Sequence, residues 1–253
     1  MLPARLSFVT YNLWMTERWP ARAPALQSFL QLFAPDVLCV QELQRTTQEF
    51  LDGVLEQHER VHDPLPGWTT EGNIYWNKGF FEEVGHGAQE VGHLEPDRRL
   101  FWVRLGLKDS DKTIFVASAH LTTPRHHKEA ETGQSPRVEQ LKRIAAYLVQ
   151  LVRDGEPAFF MGDMNDPRQP QRILKQAGFT SCFAALGLQS PPTFQCYPAA
   201  NIEPGEPTIT EAIDLIAANE HARAIAASVP QVFHGDIAPS DHWPVHAVYE
   251  IPT

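Results

Sequence analysis

Short apolar runs recur through this chain, and one after another they stop at a side chain that carries chemistry. LSFVTY runs into Asn12, VLCVQ into Glu42, TIFVASA into His120, and PAFFMG into Asp163, with Asn165 two positions on. Further strands are expected at IYWNK (74–78), RLFWVRLGL (99–107), IDLIAAN, 223–233 and WPVHAVYEI. Helices are fewer. Ala23 to Phe33 reads as one, with Pro24 tolerated in its first turn. Residues 46–57 carry a weaker helical pattern, and a short helix is expected near 169–177. The strongest is 136–153, where Val138, Leu141, Ile144, Ala145, Leu148, Leu151 and Val152 share a face and Asp154-Gly155 ends it. Many strands with few helices between them fit a two-sheet α/β sandwich with helices outside.

The last strand, WPVHAVYEI, follows directly on Ser240-Asp241-His242, and Asp214 stands at a strand start. If the last strand runs antiparallel to the others, its beginning lies at the rim where they end. One rim then holds Asn12, Glu42, His120, Asp163, Asn165, Asp241 and His242. Each has a bland reading: Asn12, Asp163 and Asn165 as turn residues, Glu42 as a surface acid, His120 as a structural histidine, Asp241 and His242 as a loop pair. Their conjunction points to chemistry. Carboxylates and carboxamides are hard oxygen donors suited to Mg²⁺ or Mn²⁺, and neighbouring histidines suit proton transfer or donation to phosphate oxygens. The His- and Cys-rich spacing of a zinc site is missing, as are a phosphate-binding glycine loop after a strand and a G-x-S-x-G elbow.

The 253 residues, 43% of them hydrophobic, suffice for one large core. No repeat, low-complexity tract or linker divides them, so a single domain over 1–253 is expected. No apolar run approaches a membrane span. The start, MLPARLSFVTYN, lacks the apolar core and cleavage site of a signal peptide, so a cytoplasmic chain is expected. Of three cysteines, Cys39 reads as core, while Cys182 and Cys196 either pair or stay reduced, the second being simpler. With 21 basic against 31 acidic residues the formal charge is −10. Such a surface repels polyanions at long range and counts against tight non-specific duplex binding, without excluding phosphate handled locally through a metal.

VTYNLW (9–14), VQEL (40–43), SAHL (118–121), MGDMND (161–166), IDLI (213–216) and SDHWPV (240–245) together resemble the endonuclease/exonuclease/phosphatase superfamily, the deoxyribonuclease I-like phosphoesterases. The segments stand in that family's order across the whole chain. The resemblance implies a four-layer α/β sandwich, two central, mostly antiparallel β-sheets flanked by helices. It also implies phosphoester hydrolysis with one or two Mg²⁺ or Mn²⁺ ions as Lewis acid and template. Glu42, with Asn12 and Asp241, would hold the ion, and Asp163 would orient and deprotonate the attacking water. Asn165 would position water or phosphate. His242, held in its tautomer by Asp214, would donate to a non-bridging oxygen, and His120 would donate to another or protonate the leaving group. Two departures stand out: Glu211-Ala212-Ile213 precedes Asp214 where relatives often carry an arginine, and Tyr-Asn-Leu-Trp lacks a second polar residue.

The segment 122–143 is locally basic, with five basic and three acidic residues plus His126 and His127. There Arg125 or Arg137 is a candidate phosphate clamp, against a solvated loop and helix start as the plain alternative. Trp14, Trp243 and Phe194 are candidates to stack a ring, Trp243 first because it follows His242. By resemblance to the tyrosyl-DNA phosphodiesterase and nuclease branches, the expected substrate is a phosphodiester of single-stranded DNA or a DNA end. The same residues serve sphingomyelinases and inositol-phosphate phosphatases, and a non-catalytic binding protein on the same frame is the remaining class.

Overall fold

The computed structural model describes residues 3–194 and 211–252. In chain order the elements are β1 (Ala4–Asn12), α1 (Ala23–Phe33), β2 (Val37–Gln41), α2 (Arg45–Val54), β3 (His58–Arg60), α3 (Gly67–Thr70), β4 (Gly72–Asn77), β5 (Phe81–Gln89), β6 (Leu100–Leu107) and β7 (Thr113–His120). They continue with α4 (His127–Thr132), α5 (Arg137–Leu151), β8 (Ala158–Asp163), α6 (Gln169–Gln176), β9 (Thr180–Ser181), α7 (Cys182–Ala185), β10 (Asp214–Ala218), β11 (Arg223–Ser228) and β12 (Val245–Ile251). One sheet has the order β11-β12-β1-β2-β4-β3 and the other β5-β6-β7-β8-β10-β9. In each, one adjacent pair is parallel, β1 with β2 and β7 with β8, and the other pairs are antiparallel. A parallel neighbour requires a crossover. Helix α1 supplies it between β1 and β2, and α5 between β7 and β8.

The central strands are apolar on both faces, which is why they read as runs rather than alternations. Phe8, Val37, Cys39, Val116, Phe159 and Met161 point between the sheets. Val9, Tyr11, Leu38 and Val40 face Leu26, Phe29 and Leu30 of α1. Phe115, Ala117 and Phe160 face Leu141, Ile144 and Leu148 of α5. The result is the expected four layers, helix, sheet, sheet, helix.

The four expected helices fall where the spacing puts them, as α1, α2, α5 and α6; the short α3, α4 and α7 carry no clear sequence signal. Three strands carry no clear sequence signal: the two-residue β9, β3 and β5. β3 is three residues long, and β5, FEEVGHGAQ, has two glycines, two glutamates and a register shift between Glu83 and Gly85. All three are sheet edges, where packing on both faces is not demanded. The strand expected over 223–233 stops at Ser228. Cys39 and Cys182 are buried free thiols; Cys196 and most of the Pro-rich loop lie outside the described residues.

Candidate active site

The parallel pairs set the site. β1 and β2 end together, at Asn12 opposite Gln41, and β7 and β8 end together, at His120 opposite Asp163. β10 runs antiparallel to β8, so its first residue, Asp214, faces Asp163. β12 runs antiparallel to β1, with Val245 opposite Thr10, so Asp241 and His242 precede it at the same rim. Tertiary pairing thus brings the seven expected rim residues together.

Gly162 lets Asp163 take its place. It has φ 145°, and a Cβ there would lie 2.0 Å from the Ala119 carbonyl oxygen. Only glycine tolerates that approach between β7 and β8. Under the rim a buried polar chain ties the sheets: Thr10 Oγ1 donates to Gln41 Oε1 at 3.2 Å, and Gln41 Nε2 donates to Ser118 Oγ at 3.1 Å.

Asp163 Oδ2 is the meeting point. Asn12 Nδ2 donates to it at 3.0 Å, His120 Nε2 lies at 3.3 Å and His242 Nε2 at 3.8 Å. Its other oxygen accepts the Asn165 N–H at 2.9 Å, while Asn165 Nδ2 donates to the Leu121 carbonyl at 3.0 Å. His242 Nδ1 is 2.8 Å from Asp214 Oδ2. All but the partly open Glu42, Asn165 and Asp241 are buried.

This environment separates the two imidazoles. Burial opposes a charge on His242, but Asp214 and Asp163 outweigh it and raise the ring to about 10. His120 is held well below its usual 6.5 by burial, then by Arg98, His242 and His93. The first is a cation and the second neutral at pH 7. Burial and Asp214 push Asp163 up to about 7 against His242, the Asn165 N–H and Asn12. Burial raises Asp241 to about 6, with Glu42 adding to the push and His242 and Arg22 opposing it.

A cleft of about 390 Å³ opens over these groups, lined also by Trp14, Arg98, Arg125 and Phe194. Its acids are Glu17, Glu42, Asp163, Glu211 and Asp241. Of its two arginines, Arg98 is already held by Glu71 at 3.1 Å, by Glu95 at 3.4 Å and by the Leu121 carbonyl at 2.9 Å. The excess of carboxylate oxygen fits a hard divalent cation; Glu42 and Asp241 line the cleft and the Asn12 carboxamide abuts Asp163, all of them oxygen donors. Asp163, Asp214 and His242 form a second group, with ligand atoms within 4.8 Å of one another. His242 Nδ1 and Asp214 Oδ2 already share a bond, and Asp214 Oδ1 has no partner among the described residues.

Two expected substrate residues are placed otherwise. Arg137 is buried at the start of α5, with its guanidinium against Glu129 at 2.7 and 2.8 Å and the Thr122 carbonyl at 3.0 Å. Its charge is met by Glu129 of α4, the turn of helix that folds back over it, and it does not line the cleft. Trp243 is also buried. Its ring packs edge-on against Phe233 at 5.1 Å, because the residue after an inward-facing His242 faces away from the cleft. Arg125 does line the cleft and is exposed. Of the aromatics, Trp14 and Phe194 line it, the Phe194 ring 4.7 Å from that of His242. Arg98 and Thr193 escaped the sequence reading. Arg98 precedes a strand instead of ending one, and Thr193 stands in a Pro-rich stretch without periodicity.

The family model of the Endonuclease/Exonuclease/phosphatase family matches residues 9–242. No curated protein matches the sequence. Among solved structures, D. rerio TDP2 complexed with single strand DNA product is similar at TM-score 0.79 and 16% identity, over 97% of this chain and 99% of that one. The mannosyl-6-phosphatase Bt3783 of Bacteroides thetaiotaomicron is similar at TM-score 0.76 and 17% identity, over 96% and 99%. An endonuclease/exonuclease/phosphatase family protein from the same organism reaches TM-score 0.78 at 17% identity, over 99% of both chains.

Proposed function

The chain belongs to the endonuclease/exonuclease/phosphatase family, and from that membership we propose that it is a divalent-metal-dependent phosphoester hydrolase working at this cleft. The observation that carries the proposal is the meeting of Asn12, His120 and His242 on one oxygen of the buried Asp163. Asp163 takes the proton of the attacking water as its oxygen bonds to phosphorus and the bond to the leaving oxygen breaks, that oxygen taking its proton from solvent; a carboxyl raised to about 7 has the basicity for this near neutral pH. His242, charged and oriented by Asp214, donates through Nε2 to a non-bridging oxygen as negative charge builds there. Of the two roles implied for His120, its low basicity favours hydrogen-bond donation to a phosphate oxygen over protonation of the leaving group. Asn12, Glu42 and Asp241 are the residues that would hold Mg²⁺ or Mn²⁺, which supplies Lewis acidity and a template.

For the substrate we favour a phosphodiester of single-stranded DNA or a DNA end. D. rerio TDP2 bound to a single-strand product has the same fold, and Trp14 and Phe194 offer aromatic faces at the cleft. A second reading, a compact sugar or inositol phosphoester or a phospholipid headgroup, is favoured by the acidic lining from Glu17 and Glu211 and by the formal charge of −10. The test is hydrolysis of bis-(p-nitrophenyl) phosphate and of its monoester in Mg²⁺, Mn²⁺ and EDTA, with His242→Ala as control, followed by DNA ends, sugar phosphates and phospholipid. Metal-dependent release that the variant loses supports the hydrolase; a monoester preference favours a sugar or inositol phosphate, and where the diester is preferred, turnover of DNA ends against that of phospholipid separates the two readings. Metal binding with no turnover on any substrate would leave a binding protein.

A further inference from the structure

The bond that orients the charged imidazole joins two residues 28 positions apart, Asp214 and His242. Neither belongs to the other's strand, so something else must hold their segments together. Thr193 touches both. It is fully buried at 0% exposure. Its Oγ1 accepts the backbone N–H of Ile213 and that of Asp214, each at 3.1 Å. Its carbonyl accepts the N–H of Trp243, the residue after His242, at 2.8 Å. Its own N–H donates to the Glu211 carbonyl at 2.9 Å. All of its polar groups are thus spent on the two stretches of chain that carry the pair.

We propose that Thr193 is a positioning residue for the hydrolysis: its hydroxyl sets the start of β10, and its carbonyl the 242–243 peptide, so that Asp214 meets His242 Nδ1. The inference rests on the function proposed above. The backbone contacts are open to any residue, but a single acceptor for two consecutive buried N–H groups requires the hydroxyl. Valine has the same shape and leaves both donors unsatisfied. An orienting hydrogen bond tolerates displacements of only about 0.5 Å, so the strand start need not unfold for the imidazole to lose its alignment.

The test compares Thr193→Val with Thr193→Ser in the full chain. Three quantities are read: kcat and KM on bis-(p-nitrophenyl) phosphate with Mn²⁺, the melting temperature, and the downfield proton resonance of the His242–Asp214 bond. The resonance is assigned by its loss in His242→Ala. Thr193→Val should lower kcat by about 10- to 100-fold, the range for groups that orient another side chain, with KM little changed and the resonance shifted or broadened. Thr193→Ser, which restores the acceptor, should recover both. A Thr193→Val protein that melts lower but keeps its kcat and resonance would reduce Thr193 to a structural residue and overturn the proposal. So would a serine variant as impaired as the valine one. If the valine variant does not fold, Thr193→Cys, with a weaker acceptor at the same place, is read in the same way. A wild type without turnover would defeat the proposed function, while the resonance would still decide the role of Thr193.

Discussion

Glu42 at φ 54° and Asn165 at φ 49° lie in the left-handed region, which side chains other than glycine rarely adopt. Such a conformation costs about 1–3 kcal/mol and persists where the surroundings impose it. Here it follows a strand end in each case, and both side chains line the cleft. Two residues at these strand ends, Asp163 and Glu42, carry separate expectations. Asp163→Asn keeps the shape and the neighbours of the proposed base, so metal binding should survive in calorimetry while kcat falls by about 10²- to 10⁴-fold. Full turnover in that variant would remove Asp163 as the base. Glu42→Gln preserves size and backbone but removes a charge from the oxygen donors. The Mg²⁺ concentration for half-maximal activity should rise by about tenfold or more, and an unchanged titration would take Glu42 out of the ligand set.

At the scale of elements, α5 shows how far periodicity reaches. The apolar face Leu141, Ile144, Leu148 is buried as its spacing requires. Arg137, one turn before it, looks in sequence like a solvated cation, and is instead covered by α4 through Glu129. No local pattern foretells that, because it depends on where a separate helix folds back. Arg137→Ala strands the Glu129 carboxylate and the Thr122 carbonyl, and should destabilise by about 2–3 kcal/mol in urea unfolding. Activity per folded molecule should be unchanged. A rise in KM without loss of stability would restore Arg137 as a substrate contact. β5 is the converse case: its glycines and acids hide it from a sequence reading, yet eight registered pairs with β6 make it a strand.

Over the whole molecule, the two sheets are joined at their edges as well as through the core. His86 of β5 is 2.6 Å from Glu83 in its own strand and 3.1 Å from Asp63, which follows β3 in the other sheet. Burial works against its charge, but Glu83 and Asp63 prevail, and its pKa lies above the ordinary 6.5. A pKa raised on folding stabilises fully below the unfolded value and fades as pH rises through the folded one. The stability difference between wild type and His86→Gln should therefore be largest below pH 6.5 and shrink toward alkaline pH. It is read from urea midpoints across that range; a difference that does not vary with pH would mean the clasp contributes no charge. No residue of β5 lines the cleft, so turnover should not follow this profile.

The central strands, the two crossover helices, the family, seven rim residues and Asp214 were legible in the sequence, because burial on both faces writes continuous apolar runs and the chemistry stands at their ends. Asn12, Glu42, His120, Asp163 and Asn165 follow such runs, and Asp214, Asp241 and His242 precede them. Only the tertiary structure decided what depends on two segments meeting. It separated a charged His242 from a neutral His120, sent Arg137 and Trp243 away from the cleft, brought Arg98 and Phe194 to it, and set Thr193 between the segments of Asp214 and His242. The physical reason is range. Periodicity records which face of an element is dry, whereas a side chain's partner, and with it its charge and its use, is set by residues far along the chain that only the packed sheets bring near.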